Sequence, residues 1–186
     1  MKLKNNRVFY SIEDAYKILD NINTWIVNSD TKASIILGLI GVLFTIIFSN
    51  LDFINILIKL INKIFDNILF GDIVYLIIML FSIVLFINGI YNLILVLIPK
   101  LKINNNNKKS ILYFGSICSF ESVNEFKHKV YHTKKAELLD DLLNQVYINS
   151  GICTKKFNNY NAGLRNIILG ILVFLVFYIL GILVYL

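Results

Sequence analysis

The chain is poor in the residues that break helices and in those that carry chemistry. It has one proline, Pro99, and nine glycines in 186 residues. So few breaks leave room for long, uninterrupted helices. Charged residues make up only 16%, against about a quarter in soluble domains. Cys118 and Cys153 have no neighbouring thiol, so neither a disulfide framework nor a zinc site is indicated. Both fall in a stretch expected to be cytoplasmic, where thiols stay reduced. His128 and His132 share i, i+4 spacing, but no Glu stands between them. Lys127, Lys129, Lys134 and Lys135 crowd the pair with positive charge and disfavour a metal. A glycine-rich phosphate loop and a nucleophile elbow are missing too. Neither an enzyme nor a metal or cofactor is expected from these residues.

What the chain has is apolar length. It is 57% hydrophobic, with a mean hydropathy of +0.70. Three runs lack any charge: Ala33 to Leu51 (19 residues), Ile73 to Pro99 (27) and Asn166 to Leu186 (21). At 1.5 Å per residue each can cross a bilayer core about 30 Å thick. The first run begins too late for a secretory signal, and no A-x-A-like site follows it, so it reads as a retained helix. Residues 1–32 carry five Lys/Arg, residues 33–99 carry two and residues 100–165 carry eleven. The positive-inside rule then puts the N-terminus and residues 100–165 in the cytoplasm.

The expected fold is an all-α membrane protein with three transmembrane helices. Two of these continue as long cytoplasmic stalk helices, and an amphipathic helix fills the outer loop. The segments are a cytoplasmic helix over 1–32, spans over 33–51, 73–99 and 166–186, an outer loop over 52–72 and a cytoplasmic region over 100–165. Together they form a single membrane domain.

Ser11 with Asp14 makes a capping box, opening one helix that runs to about Asn50. Along it Ala15, Leu19, Ile22, Ile26, Ser29, Ala33, Ile36, Ile40 and Leu43 trace a heptad seam. In the outer loop Phe53, Ile54, Leu57, Leu60, Ile61, Ile64, Phe65 and Ile68 make one apolar face. Such a helix lies on a membrane surface or packs on a bundle. Asn104 to Asn107 with Lys108 and Lys109 read as a polar turn. Ile111 to Phe120 reads as a docked loop or short strand. Ser122 with Glu125 opens a further helix, with a bend expected at His132 to Lys134. The last helix repeats the seam through Leu139, Leu143, Val146, Ser150, Cys153, Phe157, Tyr160, Leu164, Ile167 and Ile171. The acids Glu137, Asp140 and Asp141 read as surface residues.

Several constellations admit a functional and a structural use. Ser34, Gly38, Gly41 and Thr45 form a small-residue stripe, either an oligomer face or a packing surface for the other two spans. Asn88 and Asn92 point the same way in the second span. They fit a pore or gate lining, or an interhelical hydrogen bond. Asp30 and Lys32 stand where the chain passes from water to lipid, as a coupling point between cytoplasmic and membrane halves or as a simple anchor. The cytoplasmic region has eleven Lys/Arg against five acids. Lys134, Lys135 and Arg165, with Tyr113 and Phe114, could attract and stack an anionic nucleotide. The same charges also serve topology and lipid attraction. Phe120, Phe126 and Tyr131 could stack on a base or pack on the stalk.

Three stretches carry a resemblance. The run from Trp25 to Leu37, centred on Asp30-Thr31-Lys32-Ala33-Ser34, resembles the first membrane helix of the transmembrane effectors of the Pycsar antiphage system. Leu112-Tyr113-Phe114-Gly115-Ser116-Ile117 is similar to that family's short "yFG" segment. Asp141 to Tyr147, with Lys155-Lys156-Phe157, is similar to its last cytoplasmic helix. Ser29 departs from the Ala expected before Asp30, and the 53–68 helix looks like an elaboration. The resemblance implies a non-enzymatic effector in a bacterial inner membrane. A partner cyclase would make cyclic CMP or cyclic UMP, and the effector would respond by impairing the membrane and causing abortive infection. The expected partners are the lipid bilayer, the cyclic nucleotide and further copies of the chain, with no nucleic acid. The alternatives are an ungated holin-like pore former, an accessory membrane subunit and the same effector type gated by a cyclic oligonucleotide.

Overall fold

The computed structural model describes residues 10–66, 69–99 and 109–185. Among these residues the only regular structure is helical: α1 (Ile12–Ser49), α2 (Leu51–Asp66), α3 (Phe70–Leu97), α4 (Phe114–Ile117), α5 (Val123–His132) and α6 (Lys135–Tyr185). Helices α1, α3 and α6 are each long and apolar enough to cross a membrane. The expected all-α fold with three membrane helices and a helix in the loop between the first two is therefore found.

Local chemistry accounts for the helix ends. The Asp14 N–H donates to Ser11 Oγ at 3.1 Å, and Ser11 N–H donates to Asp14 Oδ2 at 3.1 Å. That is the reciprocal cap expected for α1, with Asp in place of Glu. At α5 the Glu125 N–H donates to Ser122 Oγ at 3.2 Å. The Glu125 carboxylate instead takes the Glu121 N–H at 2.8 Å, so only half of that box closes. Helix α3 stops because Ile98 is extended (φ −67°, ψ 122°), the conformation favoured before proline.

Packing separates two units, each described by itself. One contains Met1–Asn28 and Pro99–Lys155; the other contains Ser29–Ile98 and Lys156–Leu186. Helices α1 and α6 contribute to both. In the first unit Ala15, Ile22, Leu142 and Cys153 are buried, and Asn149 Nδ2 donates to Asn23 Oδ1 at 2.9 Å. The 110–118 loop folds around Asp141, whose Oδ2 accepts from Ser110 Oγ at 2.9 Å and from Ile111 N–H at 3.1 Å. Asp141 is thus a partly buried loop anchor, not the surface residue expected. The loop contains the single turn α4, so it is neither a strand nor wholly irregular. The α5–α6 break falls at Thr133 and Lys134, where a bend was expected. Of the polar turn expected at Asn104 to Asn107 with Lys108 and Lys109, all but Lys109 lies outside the described residues.

The second unit holds the apolar bundle. One core joins Ala33, Ile40, Phe86, Leu93, Val96 and Ile167. The other joins Phe53, Ile56, Leu60, Tyr75, Phe177 and Tyr185. In lipid, apolar burial gives helices little reason to associate, so close approach and hydrogen bonds carry the packing. Small residues supply both along α3 and α6. A side chain at Gly163 would meet the Leu93 side chain at 2.9 Å and the Gly89 carbonyl at 3.0 Å. Ser82 Oγ donates to the Gly170 carbonyl at 3.3 Å, and Tyr75 Oη donates to the Phe177 carbonyl at 3.0 Å. The register is antiparallel, and it sets Gly89 against Gly163 and Ile167.

The α1 seam is the buried face as far as Ile40. Beyond it Leu43 is exposed and Phe44 packs instead, because a straight helix drifts from a strict seven-residue repeat. In the first part of α6 the buried line is Leu142, Gln145, Cys153 and Lys156, with Leu143 exposed and Phe157 only half-buried. A seam drawn through apolar residues alone passes over Gln145 and Lys156.

Candidate functional site: a buried lysine joining three helices

Lys156 is the most unusual side chain in the bundle. It stands on α6, with 5% of its side chain exposed. Its ammonium donates to Asp30 Oδ1 on α1 at 2.5 Å and to the Val96 carbonyl of α3 at 2.5 Å. Val96 belongs to the last turn of α3, where carbonyls lack helical partners and the helix end is negative. The fold supplies that acceptor because α3 stops before Pro99. One cation thus answers a carboxylate and a helix terminus and ties three helices together at one level. Asp30 keeps 35% of its side chain exposed, so the pair is enclosed on the lysine side only. Val96 lies eight residues past Asn88, about 12 Å along α3 at 1.5 Å per residue. The clamp therefore lies about two helical turns from Asn88, at the C-terminal end of α3.

The residues singled out in the sequence fall at several places. Asp30 is in the clamp. Lys32 is exposed two residues on, and the partner of Asp30 is Lys156. Ser34, Gly38 and Gly41 are exposed, and a Cβ added at either glycine would meet nothing within 4 Å. The stripe therefore does not pack the other two spans of the chain. Gly89, Gly163 and Gly170 on α3 and α6 do that instead. Asn92 Nδ2 donates to Asn88 Oδ1 at 2.7 Å and to the Asn88 carbonyl at 2.8 Å. The amides satisfy each other along one helix, and among the described residues neither is seen in the interhelical hydrogen bond that was one of their two expected uses. Arg165 is exposed on α6 in the bundle unit.

In the other unit Tyr113 caps α4 and packs on Phe114, ring centres 4.9 Å apart. Lys134 and Lys135 are exposed at the start of α6, and Tyr131 is 80% exposed nearby. The His128 and His132 rings stack at 4.0 Å. Among the described residues no group of three His, Cys, Asp or Glu is placed to hold a metal. Lys109 donates to Glu125 at 2.9 Å and stands over the Phe120 ring at 4.8 Å. That hydrogen bond, with the Glu121 N–H, holds the Glu125 carboxyl below its ordinary range.

Sequence reasoning quoted Lys156 only as part of a motif and gave it no role. The available signal was a lysine in phase with the buried line of a long helix, 126 residues after an aspartate at the start of the first apolar run.

Comparison with known proteins places these features in a family. The profile described as the Pycsar effector protein domain matches residues 14–183. The chain is 35% identical over 179 residues to the "Pycsar effector protein GmPycTM" of Gulbenkiania mobilis, spanning 88% of this chain and 89% of that protein. No solved structure matches the chain. With the profile spanning the clamp and all three long apolar helices, and the relative covering 88% of the chain, the chain belongs to the Pycsar effector protein family.

Proposed function

We propose that this transmembrane effector of Pycsar antiphage defence responds to a cyclic pyrimidine nucleotide, cCMP or cUMP, and impairs the inner membrane. Family membership makes it the effector that acts downstream of a partner cyclase. The observation that carries a switching mechanism is the buried Lys156. Helices α1 and α6 bring Asp30 and Lys156 into the clamp, and both helices continue beyond it without interruption. Strain applied to their cytoplasmic lengths reaches the ion pair directly. The charge distribution supports an N-terminus and a 100–165 region in the cytoplasm, where the nucleotide would be made. The clamped bundle is the resting state, and nucleotide binding weakens the clamp. Assembly of several copies is part of this reading, because Ser34, Gly38 and Gly41 present a small-residue face left exposed among the described residues.

Release of a trapped dye from proteoliposomes tests the proposal. Leakage is expected on adding cCMP or cUMP, and not with linear CMP or UMP. Equal leakage with and without nucleotide would instead favour an ungated pore former. Leakage with a cyclic oligonucleotide alone would replace the ligand and keep the mechanism.

A further inference from the structure

Helix α2 is divided lengthwise into three strips rather than two. Phe53, Ile56 and Leu60 are buried against Tyr75, Phe177 and Tyr185. Asn55, Lys59, Asn62 and Asp66 form an exposed polar strip. Between them Ile54, Ile58, Ile61 and Phe65 form a third strip, apolar and exposed, with Phe65 at 84%. At 3.6 residues per turn each strip takes about a third of the circumference. A helix packed on a bundle in water needs two faces, one apolar and one polar. Three strips fit three surroundings: protein, lipid and water.

We propose that α2 lies in the membrane interface, its Ile54–Ile58–Ile61–Phe65 strip immersed in lipid acyl chains, and that a polar clasp around Asp72 fixes its depth. Chain continuity makes lipid the occupant. Asn50 alone separates α2 from α1, and residues 67–69 alone separate it from α3. Both ends of α2 are thus tied to the ends of apolar helices, at a bilayer boundary. Leu69 and Phe70, at the corner with α3, extend the exposed apolar surface. Interfacial helices bury such strips about 5–10 Å deep while their polar side faces water.

The clasp is made where α2 meets the ends of α3 and α6. Asp72, in the first turn of α3, is buried and accepts from the Leu69 N–H at 3.1 Å. It also accepts from the Tyr185 hydroxyl. Lys63 of α2 lies 3.4 Å from Asp72 Oδ1 and 4.6 Å above the Tyr185 ring. Lys59 donates to the Tyr185 carbonyl. Both lysines of α2 are thus held at the end of α6, which stops the helix from rolling or sinking.

The test uses the full chain with Cys118→Ser and Cys153→Ala, carrying a bimane label at Ile61→Cys or at Asn62→Cys. Each protein is placed in phosphatidylethanolamine–phosphatidylglycerol vesicles with brominated acyl chains. Quenching is expected to be several-fold stronger at residue 61 than at residue 62. Equal quenching overturns the proposal. So does a residue 61 shielded from lipid that cross-links between copies, which would make the strip an oligomer face. Adding Tyr185→Phe, or Lys63→Met should the first variant fail to fold, is expected to reduce the contrast at least two-fold. An undiminished contrast in a folded variant overturns the role of the clasp. No nucleotide enters the assay, so its outcome is separate from that of the gating proposal.

Discussion

A lysine with 5% of its side chain exposed persists only where its charge is answered, and Lys156 is answered twice. Removing one partner of a buried pair costs about 3–5 kcal/mol, because the other charge is stranded. Asp30 is partly exposed, so the low end, about 3 kcal/mol, is the expected loss for Asp30→Asn. Lys156→Met also frees the Val96 carbonyl and removes the tie to α3. Both variants are expected to leak dye without nucleotide, while Lys155→Met, at the exposed neighbouring position, behaves as wild type. The swap Asp30→Lys with Lys156→Asp should recover part of the pair and lower the leak relative to Asp30→Lys alone. A full set of variants with wild-type leakage would make the clamp an anchor and not a switch.

Helices packed through glycine behave differently from helices that only display it. At Gly163 an added side chain meets Leu93 and the Gly89 carbonyl, and backbone cannot move aside cheaply. Gly163→Leu is expected to separate α3 from α6 and destabilise the bundle by at least the 1–3 kcal/mol typical of overpacking. A Cβ added at the exposed Gly38 meets nothing within 4 Å, so for Gly38→Leu thermal stability in dilute detergent should match wild type, and any effect should appear in the mass of the assembled species. Helix α5 makes a separate, pH-dependent case. Its Glu125 carboxyl is held below the ordinary range by Lys109, so the charged form is favoured in the folded state. That contribution is complete above the unfolded value near pH 4.3 and is lost as pH falls through the lower folded value. Hydrogen exchange at the Glu121 amide should therefore be steady from about pH 5 to 8 and lose protection, after correction for intrinsic rates, below about pH 4. Glu125→Gln should remove the pH dependence. Much at this scale was legible in the sequence: the Ser11 and Ser122 caps, the length of α1 and the break before α6 follow from local chemistry. The glycine contacts were not legible, because a stripe shows which face is small without showing which face meets a neighbour. Nor was the clamp, because its three groups are far apart in the chain and one is a backbone carbonyl.

For the molecule as a whole, orientation rests on the distribution of charge. Cys118 is exposed, whereas Cys153 is buried and its thiol is pushed above the usual range by desolvation. Only Cys118 is therefore a prompt reporter of sidedness. An impermeant maleimide is expected to leave it unmodified in intact spheroplasts and to modify it within minutes once the membrane is opened; Cys153 should stay slow in both. Prompt labelling of Cys118 in intact spheroplasts would invert the assignment. The lengths of the apolar helices have a consequence for the membrane itself. The charge-free part of α3, Ile73 to Leu97, is about 38 Å long at 1.5 Å per residue, and that of α1, Ala33 to Ser49, is about 25 Å. A typical hydrocarbon core is about 30 Å thick. Helix α3 alone is thus longer than such a layer, and a helix too long for its bilayer tilts or thickens the lipid around it. Each copy would carry that hydrophobic mismatch with it, so copies gathered in one place would add their strain to the same patch of bilayer.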